Sequence, residues 1–168
     1  LDLDAVVCIG TSLGGLISMG LNVARPSAVK AVVLNDIGPD LVTSGVGRIH
    51  AHVSRDHPMP DWETALAWQK RHFHHLHRFT EHDWRVLCEG SFQPGPDGWL
   101  HSSWDPRLAR AMLDERADGP PLWPMYRSLK AKPVLAFRGA DSDLLTEATI
   151  AAMARVTLTP RCRIAARS

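Results

Sequence analysis

The sequence predicts an α/β fold in which a parallel sheet is interrupted by a helical insertion. Ala5–Ile9 and Val29–Leu34 are short apolar runs rich in β-branched residues, which is typical of strands buried on both faces of a parallel sheet. A helical pattern separates them, and its apolar positions on one face are Leu13, Leu16, Ile17 and Leu21. Strand, helix and strand in this order predict a βαβ unit with a right-handed crossover.

The composition changes in the middle of the chain. Residues 42–127 hold all nine histidines and all six tryptophans, without a convincing strand pattern. Asp61 and the segment Thr80–Asp83 have the form of helix N-terminal caps, and the apolar positions that follow each of them keep helical spacing. After Asp61 these positions are Trp62, Leu66, Phe73 and Leu76. We therefore predict an insertion of several short helices.

The sheet pattern returns near the end of the sequence. Pro133–Phe137 predicts a strand, residues 138–143 a loop, and Thr146–Arg155 a helix. Residues 1–44 and 129–168 are therefore predicted to form the sheet core, and residues 45–128 the insertion.

Composition and charge argue against several classes of function. The formal net charge of +1, with scattered lysines and arginines, does not indicate a nucleic-acid or membrane-surface partner. No apolar run approaches the roughly 18–20 residues that span a bilayer. Cys8, Cys88 and Cys162 lie far apart and without CxxC spacing, which argues against a disulfide framework or a zinc site and predicts a cytoplasmic location.

The segment Gly10-Thr-Ser12-Leu-Gly14 matches the pattern G-x-S-x-G between a predicted strand and a predicted helix. In this setting the pattern predicts a tight turn that holds a serine in a strained conformation with its hydroxyl exposed. The two glycines leave room for the strand and the helix to approach each other. The N–H of Leu13, at the helix N-terminus, is a candidate oxyanion donor. The alternative is a glycine-rich turn in another kind of parallel α/β protein.

Three segments together resemble the α/β-hydrolase superfamily. They are Ile9–Gly15, Val32–Pro39 and Pro133–Thr146, and the similarity is to the capped branches that include serine esterases, lactonases and carbon–carbon hydrolases. The resemblance implies a parallel-sheet core with a helical cap at residues 45–128, and it implies Ser12 as the nucleophile. It implies no metal and no organic cofactor.

The resemblance also places a catalytic acid in the loop after the strand at 133–137. Asp143, which precedes Leu144 and Leu145, fits the family pattern of an acid before an apolar pair. Asp141 is the alternative acid, and otherwise it would form a local turn. The order of Ser12 and then Asp143 agrees with the family order of nucleophile, acid and base.

The family's histidine is expected after one further strand, but the sequence has no histidine beyond His101. A serine without an imidazole partner is a poor nucleophile. The resemblance therefore predicts a partial chain, which lacks the early strands and the last segment of the core. The arginine-rich end at Thr159–Ser168 is typical of a truncated or frame-shifted terminus.

The histidines of the insertion offer two alternatives. The pairs in the segment His72–His77 that would lie one helical turn apart, a spacing that can bind a metal, are His72 with His75 and His74 with His77. The simpler interpretation is a polar helix face. His50 and His52 are candidates for a substituting base, although a base there would break the family order.

The predicted function is hydrolysis of an ester, lactone or related carbonyl compound through an acyl-serine intermediate, incomplete as given because the histidine is missing. The predicted partner is a small molecule with an apolar part, since some aromatic residues of the cap should line a pocket. The alternative is a non-catalytic protein of the same fold that binds a small apolar ligand. A sheet without its first strands has an open edge and uncovered apolar faces, which predicts aggregation of the isolated chain.

Overall fold

The structure is a computed structural model that describes residues 4–74, 76–109 and 122–157. Its strands are β1 (Val6–Thr11), β2 (Val29–Asn35), β3 (Phe92–Pro94), β4 (Leu100–Ser102) and β5 (Val134–Phe137). Its helices are α1 (Leu13–Ala24), α2 (Thr43–Val53), α3 (Trp62–His72), α4 (Glu81–Ser91), α5 (Leu122–Arg127) and α6 (Glu147–Val156). Within these ranges, no helix combines the length and the apolar character needed to cross a bilayer.

The predicted parallel sheet is confirmed. β2 lies in the centre of a three-stranded sheet, and it pairs in parallel with β1 on one side and β5 on the other. Asn35 at the end of β2 is opposite Thr11 of β1 and Phe137 of β5. The carboxyl ends of the three strands therefore lie at one level, and the residues that follow them are neighbours.

One face of this sheet packs on the main hydrophobic core. In β5, and in β2 from Val32 onward, every second residue is buried there, since side chains alternate between the two faces of a strand. These residues are Val32, Leu34, Val134 and Ala136, and they form one cluster with Met19 of α1, Tyr126 of α5, and Ile150 and Met153 of α6. The Tyr126 hydroxyl donates a hydrogen bond to the Met153 carbonyl at 3.1 Å, so this buried polar group is satisfied.

The other face of the sheet, which we call the open face, is formed by Val7, Ile9, Val33, Leu135 and Phe137. Val7 is 61% exposed and Ile9 77% exposed. The prediction that the first strand is buried on both sides is therefore wrong for the described residues, because α1, α5 and α6 pack on the opposite face.

Helix α1 also buries a different side from the one that its apolar pattern predicts. Leu13, Ile17 and Leu21 are exposed, whereas the buried positions are Gly15, Ser18, Met19 and Asn22. Leu16 of the predicted face does pack against the core that includes Met19. Gly15 approaches the sheet closely, since a Cβ there would overlap Ile37 and lie 3.3 Å from Leu34. Asn22 donates from its amide nitrogen to both the Ser128 carbonyl oxygen and the Ser128 hydroxyl.

The described residues divide into two compact units, one within residues 1–48 and 115–168, the other within residues 49–114. In the second unit the predicted caps are confirmed. The Asp61 carboxylate accepts from the Thr64 N–H at 2.7 Å, and Thr80 and Asp83 form a reciprocal capping box. The boundaries at 44/45 and 128/129 stay predictions.

Two details of the second unit differ from the sequence prediction. The strands β3 and β4 form a short antiparallel hairpin, where the sequence showed no convincing strand pattern. Its residues Phe92 and Leu100 are buried in a small core with Ala65 and Cys88. Helix α3 ends at His72, with Phe73 as its C-cap, so the predicted helical spacing does not continue to Leu76.

We expect the isolated chain to aggregate, because the open face leaves apolar side chains of a parallel sheet in water. A Val7→Thr/Ile9→Thr double variant should raise the monomeric fraction in size-exclusion chromatography with light scattering, since threonine keeps the β-branched shape with less apolar surface. Val32→Thr is the matched control: Val32 is 1% exposed, so this change should lower stability by roughly 1–3 kcal/mol without reducing aggregation. A monodisperse, cooperatively unfolding wild-type monomer would contradict the expectation.

Candidate functional site

Ser12 forms the turn between β1 and α1. Its φ of 49° and ψ of −120° place a non-glycine residue in the left-handed half of backbone space, which costs about 1–2 kcal/mol. The Ser12 N–H donates to the Asn35 carbonyl at 3.4 Å, and its own carbonyl accepts from Gly15 N at 2.9 Å and Leu16 N at 3.3 Å. The strained backbone that the motif predicts is therefore present, and neighbouring backbone groups hold it.

The turn depends on glycine at positions 10 and 15. A Cβ on Gly10 would overlap the backbone of Gly14 and Gly15, and a Cβ on Gly15 would overlap the side chain of Ile37. A Cβ on Gly14 would meet nothing within 4 Å. The steric role predicted for both motif glycines is therefore confirmed for Gly10 but wrong for Gly14, since Gly15 supplies the second close approach.

Leu13 is the first residue of α1, and its side chain is 54% exposed. Its N–H belongs to the first turn of the helix, where N–H groups have no carbonyl partner within the helix. These groups also carry the positive end of the helix dipole, which favours a negative charge nearby. The position is suitable for an oxyanion donor next to Ser12, and that role stays a prediction.

The acid loop, residues 138–145, joins β5 to α6 and holds both candidate acids. Asp141 is exposed in a turn closed by a hydrogen bond from Ser142 N to the Gly139 carbonyl at 3.2 Å. Asp143 accepts two hydrogen bonds from Arg48 of α2, from Nε to Oδ2 at 2.7 Å and from Nη2 to Oδ1 at 2.9 Å. Asp143 rather than Asp141 therefore has an oriented carboxylate.

The sequence did not identify Arg48 as a partner of Asp143. The two residues are 95 positions apart, and no local pattern joins them. The hydrogen bond to Asp143 raises the pKa of the Arg48 guanidinium above its usual value, against a smaller opposing effect of burial. Both side chains are half exposed, so we expect the pair to contribute only about 0–1 kcal/mol to stability and to act mainly by orienting Asp143.

Asp36 is a second residue that the sequence did not single out as functional. It follows β2 directly and has a φ of 51°, so it is left-handed like Ser12. Its carboxylate accepts from the Gly139 N–H at 3.1 Å and from the Ser142 hydroxyl at 3.0 Å. The available signal was its position: an aspartate after a parallel strand lies at the edge where sites of α/β proteins form.

A shallow cleft of about 420 Å³ lies along the open face near the strand ends. The residues that line it are Ile9, Thr11, Val33, Asn35, Phe137, Arg138 and Gly139. The cleft is open to solvent and does not include Ser12, Leu13 or Asp143. An enclosed apolar pocket around Ser12 therefore stays a prediction.

The histidines of the second unit stack with aromatic residues. His72 lies on Trp68 with ring centroids 4.1 Å apart, and His52 lies 5.1 Å from His57. Burial is the main reason that the pKa of His72 is lowered, with further contributions from His57 and Arg71.

This arrangement bears on both alternatives for the histidines. Because α3 ends at His72, the helical spacing assumed for a metal site is wrong for His74 and His77, and His75 lies outside the described residues. No group of three or more potential ligands is arranged for a metal within the described part of the chain. The His52 ring lies within 5.6 Å of the ring centroids of His57, Trp68, Phe73 and Trp104, and the His50 alternative stays untested.

His101 is held between two carboxylates. Its Nδ1 lies 2.5 Å from Asp56 Oδ2, and its Nε2 lies 3.0 Å from both oxygens of Asp97. Hydrogen bonds to Asp56 and then to Asp97 raise the pKa of His101. Burial works to raise the pKa of Asp56, but hydrogen bonds from His101, Ser102 and His57 outweigh it and lower this pKa to about 2. Both ring nitrogens of His101 are engaged, so we interpret its ion pairs with Asp56 and Asp97 as structural.

Comparison with known proteins agrees with this fold. A 3-hydroxybutyrate-oligomer hydrolase from Cupriavidus necator is 38% identical over 163 residues, covering 91% of this chain and 55% of that protein. A 2-(acetamidomethylene)succinate hydrolase from Mesorhizobium japonicum is 26% identical over 151 residues, covering 89% of this chain and 52% of that protein. The crystal structure of an α/β hydrolase from Novosphingobium aromaticivorans matches with a TM-score of 0.85 and 28% identity, covering 98% of this chain and 57% of that one.

These relatives and the fold show that the chain belongs to the α/β-hydrolase superfamily. No protein-family model matches it. The chain spans about half the length of the curated relatives it matches. The expected resemblance is therefore confirmed at the level of the superfamily, while the roles of individual residues stay predictions.

The turn at Ser12 provides a matched pair of glycine variants. Gly10→Ala should destabilise the chain by about 1–3 kcal/mol, because the new methyl group overlaps the start of α1. Gly14→Ala has free space and lies in a helix, so it should be neutral or stabilising by up to about 1 kcal/mol. Urea unfolding followed by circular dichroism measures both. Equal effects at the two positions would show that close approach of strand and helix does not govern the turn.

The His101 ion pair predicts a pH window for stability. Because the pKa of His101 is raised in the folded state, its protonation stabilises the fold fully below the unfolded-state pKa of 6.5. This stabilisation is lost as the pH rises through the folded-state pKa. Because the pKa of Asp56 is lowered in the folded state, its ionised carboxylate stabilises the fold above the unfolded-state pKa of 3.8. This stabilisation is lost as the pH falls toward the folded-state pKa of about 2. Urea midpoints should therefore be highest between these limits. His101→Gln should remove the decline on the alkaline side, whereas His82→Gln, at an exposed position of α4, should leave it in place.

Proposed function

We propose that this chain is the nucleophile-bearing and acid-bearing part of a serine hydrolase that acts on an ester, lactone or related carbonyl compound. The observation that carries the proposal is the left-handed Ser12 between β1 and α1, because this conformation holds the serine hydroxyl at the edge of the sheet where it can attack a carbonyl. The hydrolase names of the two curated relatives support it.

In the proposed reaction, the Ser12 hydroxyl oxygen attacks the substrate carbonyl carbon. The bond from this carbon to the alkoxy oxygen then breaks, the alcohol group takes up the serine proton and leaves, and an acyl-enzyme remains. The negative charge that develops on the carbonyl oxygen is stabilised by the N–H of Leu13 and the N-terminal end of α1. Water then attacks the acyl carbon, the acid product leaves, and Ser12 regains its proton.

Asp143 is proposed as the acid that orients a histidine base. The proposal assigns this histidine to polypeptide outside these 168 residues, since no histidine follows Asp143 in the chain and the relatives are almost twice as long. Until a histidine engages Asp143, Arg48 holds its carboxylate in a fixed orientation.

The names of the relatives suggest a substrate class. One relative is named for 3-hydroxybutyrate oligomers and the other for 2-(acetamidomethylene)succinate. We propose a small carbonyl compound of the same kind for this chain, and an ester of a hydroxy acid suits an acyl-serine intermediate. The cap role of residues 45–128 and a cytoplasmic location remain parts of the proposal.

The second candidate function is a non-catalytic protein of the same fold that binds a small apolar ligand. Two observations favour it. The carboxylate of Asp143 is already engaged by Arg48, and the chain has no histidine after His101. Under this hypothesis the turn at Ser12 is retained for folding rather than for chemistry.

Labelling with a fluorophosphonate probe separates the two functions. We expect Ser12 to react slowly in the 168-residue chain because it lacks a histidine base, and Ser12→Ala should abolish the signal while retaining the circular dichroism spectrum. Ser12→Gly is a useful second control, since it removes the hydroxyl and relieves the positive φ. If the folded wild-type chain is not labelled above the Ser12→Ala background, Ser12 is not a nucleophile in the 168 residues alone, and the non-catalytic function is favoured for this chain.

A further inference from the structure

Asp36 combines backbone strain with three hydrogen bonds. A left-handed conformation is uncommon outside glycine, and here it turns the carboxylate toward the acid loop. The Asp36 N–H donates to the Phe137 carbonyl at 2.9 Å, which continues the β2–β5 ladder by one residue. Its two carboxylate oxygens accept from Gly139 N and from the Ser142 hydroxyl. The backbone of Asp36 therefore binds the end of β5, and its side chain binds the segment that follows.

Ser142 relays this contact to the end of the acid loop. Its hydroxyl donates to Asp36 and accepts from the N–H groups of Leu144 at 3.2 Å and Leu145 at 3.1 Å. Leu145 is fully buried in the main core. Asp143 lies between Ser142 and Leu144, so both of its neighbours are fixed through one hydroxyl group whose proton points at Asp36.

The carbonyl groups of the loop are bound separately. The Arg138 guanidinium donates to the carbonyls of Leu145 at 2.6 Å, Gly139 at 2.9 Å and Ala140 at 3.0 Å. The Leu144 carbonyl accepts from the Val42 N–H at 3.0 Å. Arg138 thus binds the acceptors of the loop while Asp36 binds its donors, and the two charges have complementary roles.

We propose that Asp36 is a positioning residue for Asp143. Its carboxylate sets the direction of the Ser142 hydroxyl, which fixes the loop backbone on both sides of Asp143 and places the Asp143 carboxylate opposite Arg48. As a role in catalysis this rests on the proposed function of Asp143, whereas the positioning itself is a property of the loop and is measured without activity.

An aspartate suits this position for two reasons. Among residues with a Cβ, asparagine and aspartate tolerate the left-handed conformation best, so the backbone requirement alone would accept asparagine or glycine. The hydrogen bonds add the second requirement, since the Ser142 hydroxyl already accepts two N–H groups and must donate its proton to an acceptor. Both carboxylate oxygens of Asp36 are acceptors, whereas an asparagine amide nitrogen is a donor.

The test compares Asp36→Asn and Asp36→Gly with wild type, in the Val7→Thr/Ile9→Thr background to limit aggregation. Both variants keep the left-handed backbone accessible. Asp36→Asn leaves one acceptor oxygen for the two donors, the Gly139 N–H and the Ser142 hydroxyl, and Asp36→Gly removes both acceptors. Amide exchange at Leu144 and Leu145 should become about ten- to a hundredfold faster, since charge-assisted hydrogen bonds are lost. The Arg48 Nε–H signal in a ¹H–¹⁵N spectrum should shift, because this group donates to Asp143.

Ser142 variants provide the matched controls. Ser142→Ala should reproduce the faster exchange and the Arg48 shift, and it should add little to Asp36→Asn, because the two residues act through one hydrogen bond. Ser142→Thr keeps the hydroxyl and should retain the wild-type signals. Asp141→Asn changes the other loop aspartate and should leave the Arg48 Nε–H signal in place.

Two outcomes would overturn the proposal. One is a folded Asp36→Gly variant with wild-type exchange at Leu144 and Leu145 and an unshifted Arg48 signal, which would mean that only the backbone conformation at position 36 matters. The other is global unfolding of both Asp36 variants while Ser142→Ala keeps the wild-type Arg48 signal, which would make Asp36 a general stabilising residue. Loss of Ser12 labelling, by contrast, bears on the proposed function and leaves these readouts unchanged.

Discussion

Parallel pairing of β1 and β5 with the two edges of β2 brings Thr11, Asn35 and Phe137 into one row. The residues that follow this row are therefore neighbours. They include Ser12, Asp36 and the start of the acid loop, although the acid loop begins more than a hundred positions after the other two. Few particular residues are needed for this strand pairing, because strands buried in a sheet need only apolar runs of adequate length. The site chemistry is then carried by the loops.

Two of these loops begin with a left-handed non-glycine residue, Ser12 and Asp36. Such conformations persist only where several surrounding contacts hold the backbone in place. At Ser12 the surroundings are the first turn of α1 and the close approach permitted by Gly10 and Gly15. At Asp36 they are the β2–β5 ladder and the N–H and hydroxyl donors of the acid loop. Strain at the edge of the sheet is thus balanced by hydrogen bonds between loops.

The described residues leave apolar side chains of the open face exposed. Parallel sheets are normally covered on both sides, and here α1, α5 and α6 pack on one side. Val7 and Ile9 remain in water at the same edge strand that holds Ser12 on its carboxyl end. The relatives, of which the chain spans about half, have further polypeptide. The exposed apolar side chains of the open face therefore adjoin the strand that carries Ser12, the proposed nucleophile.

Local signals determined the strands of the core, the helix caps at Asp61 and Thr80, and the turn at Ser12. Each depends on a few neighbouring residues whose conformational preferences do not need distant partners. The hairpin β3–β4 was missed because its strands are three residues long and are stabilised by burial of Phe92 and Leu100 rather than by an alternating pattern. For the same reason the end of α3 at His72 could not be read from apolar spacing alone.

By itself the sequence thus determined the order of the strands and helices of the sheet core, the nucleophile candidate and two candidate acids. Only the tertiary structure decided which side of α1 is buried, because close approach to the sheet selects small residues such as Gly15 over the apolar stripe. It also decided the contact of Arg48 with Asp143 and of Asp36 with Ser142, which join residues about a hundred positions apart. Hydrogen bonds of this kind depend on how strands align in space, and no periodicity along the chain records that alignment.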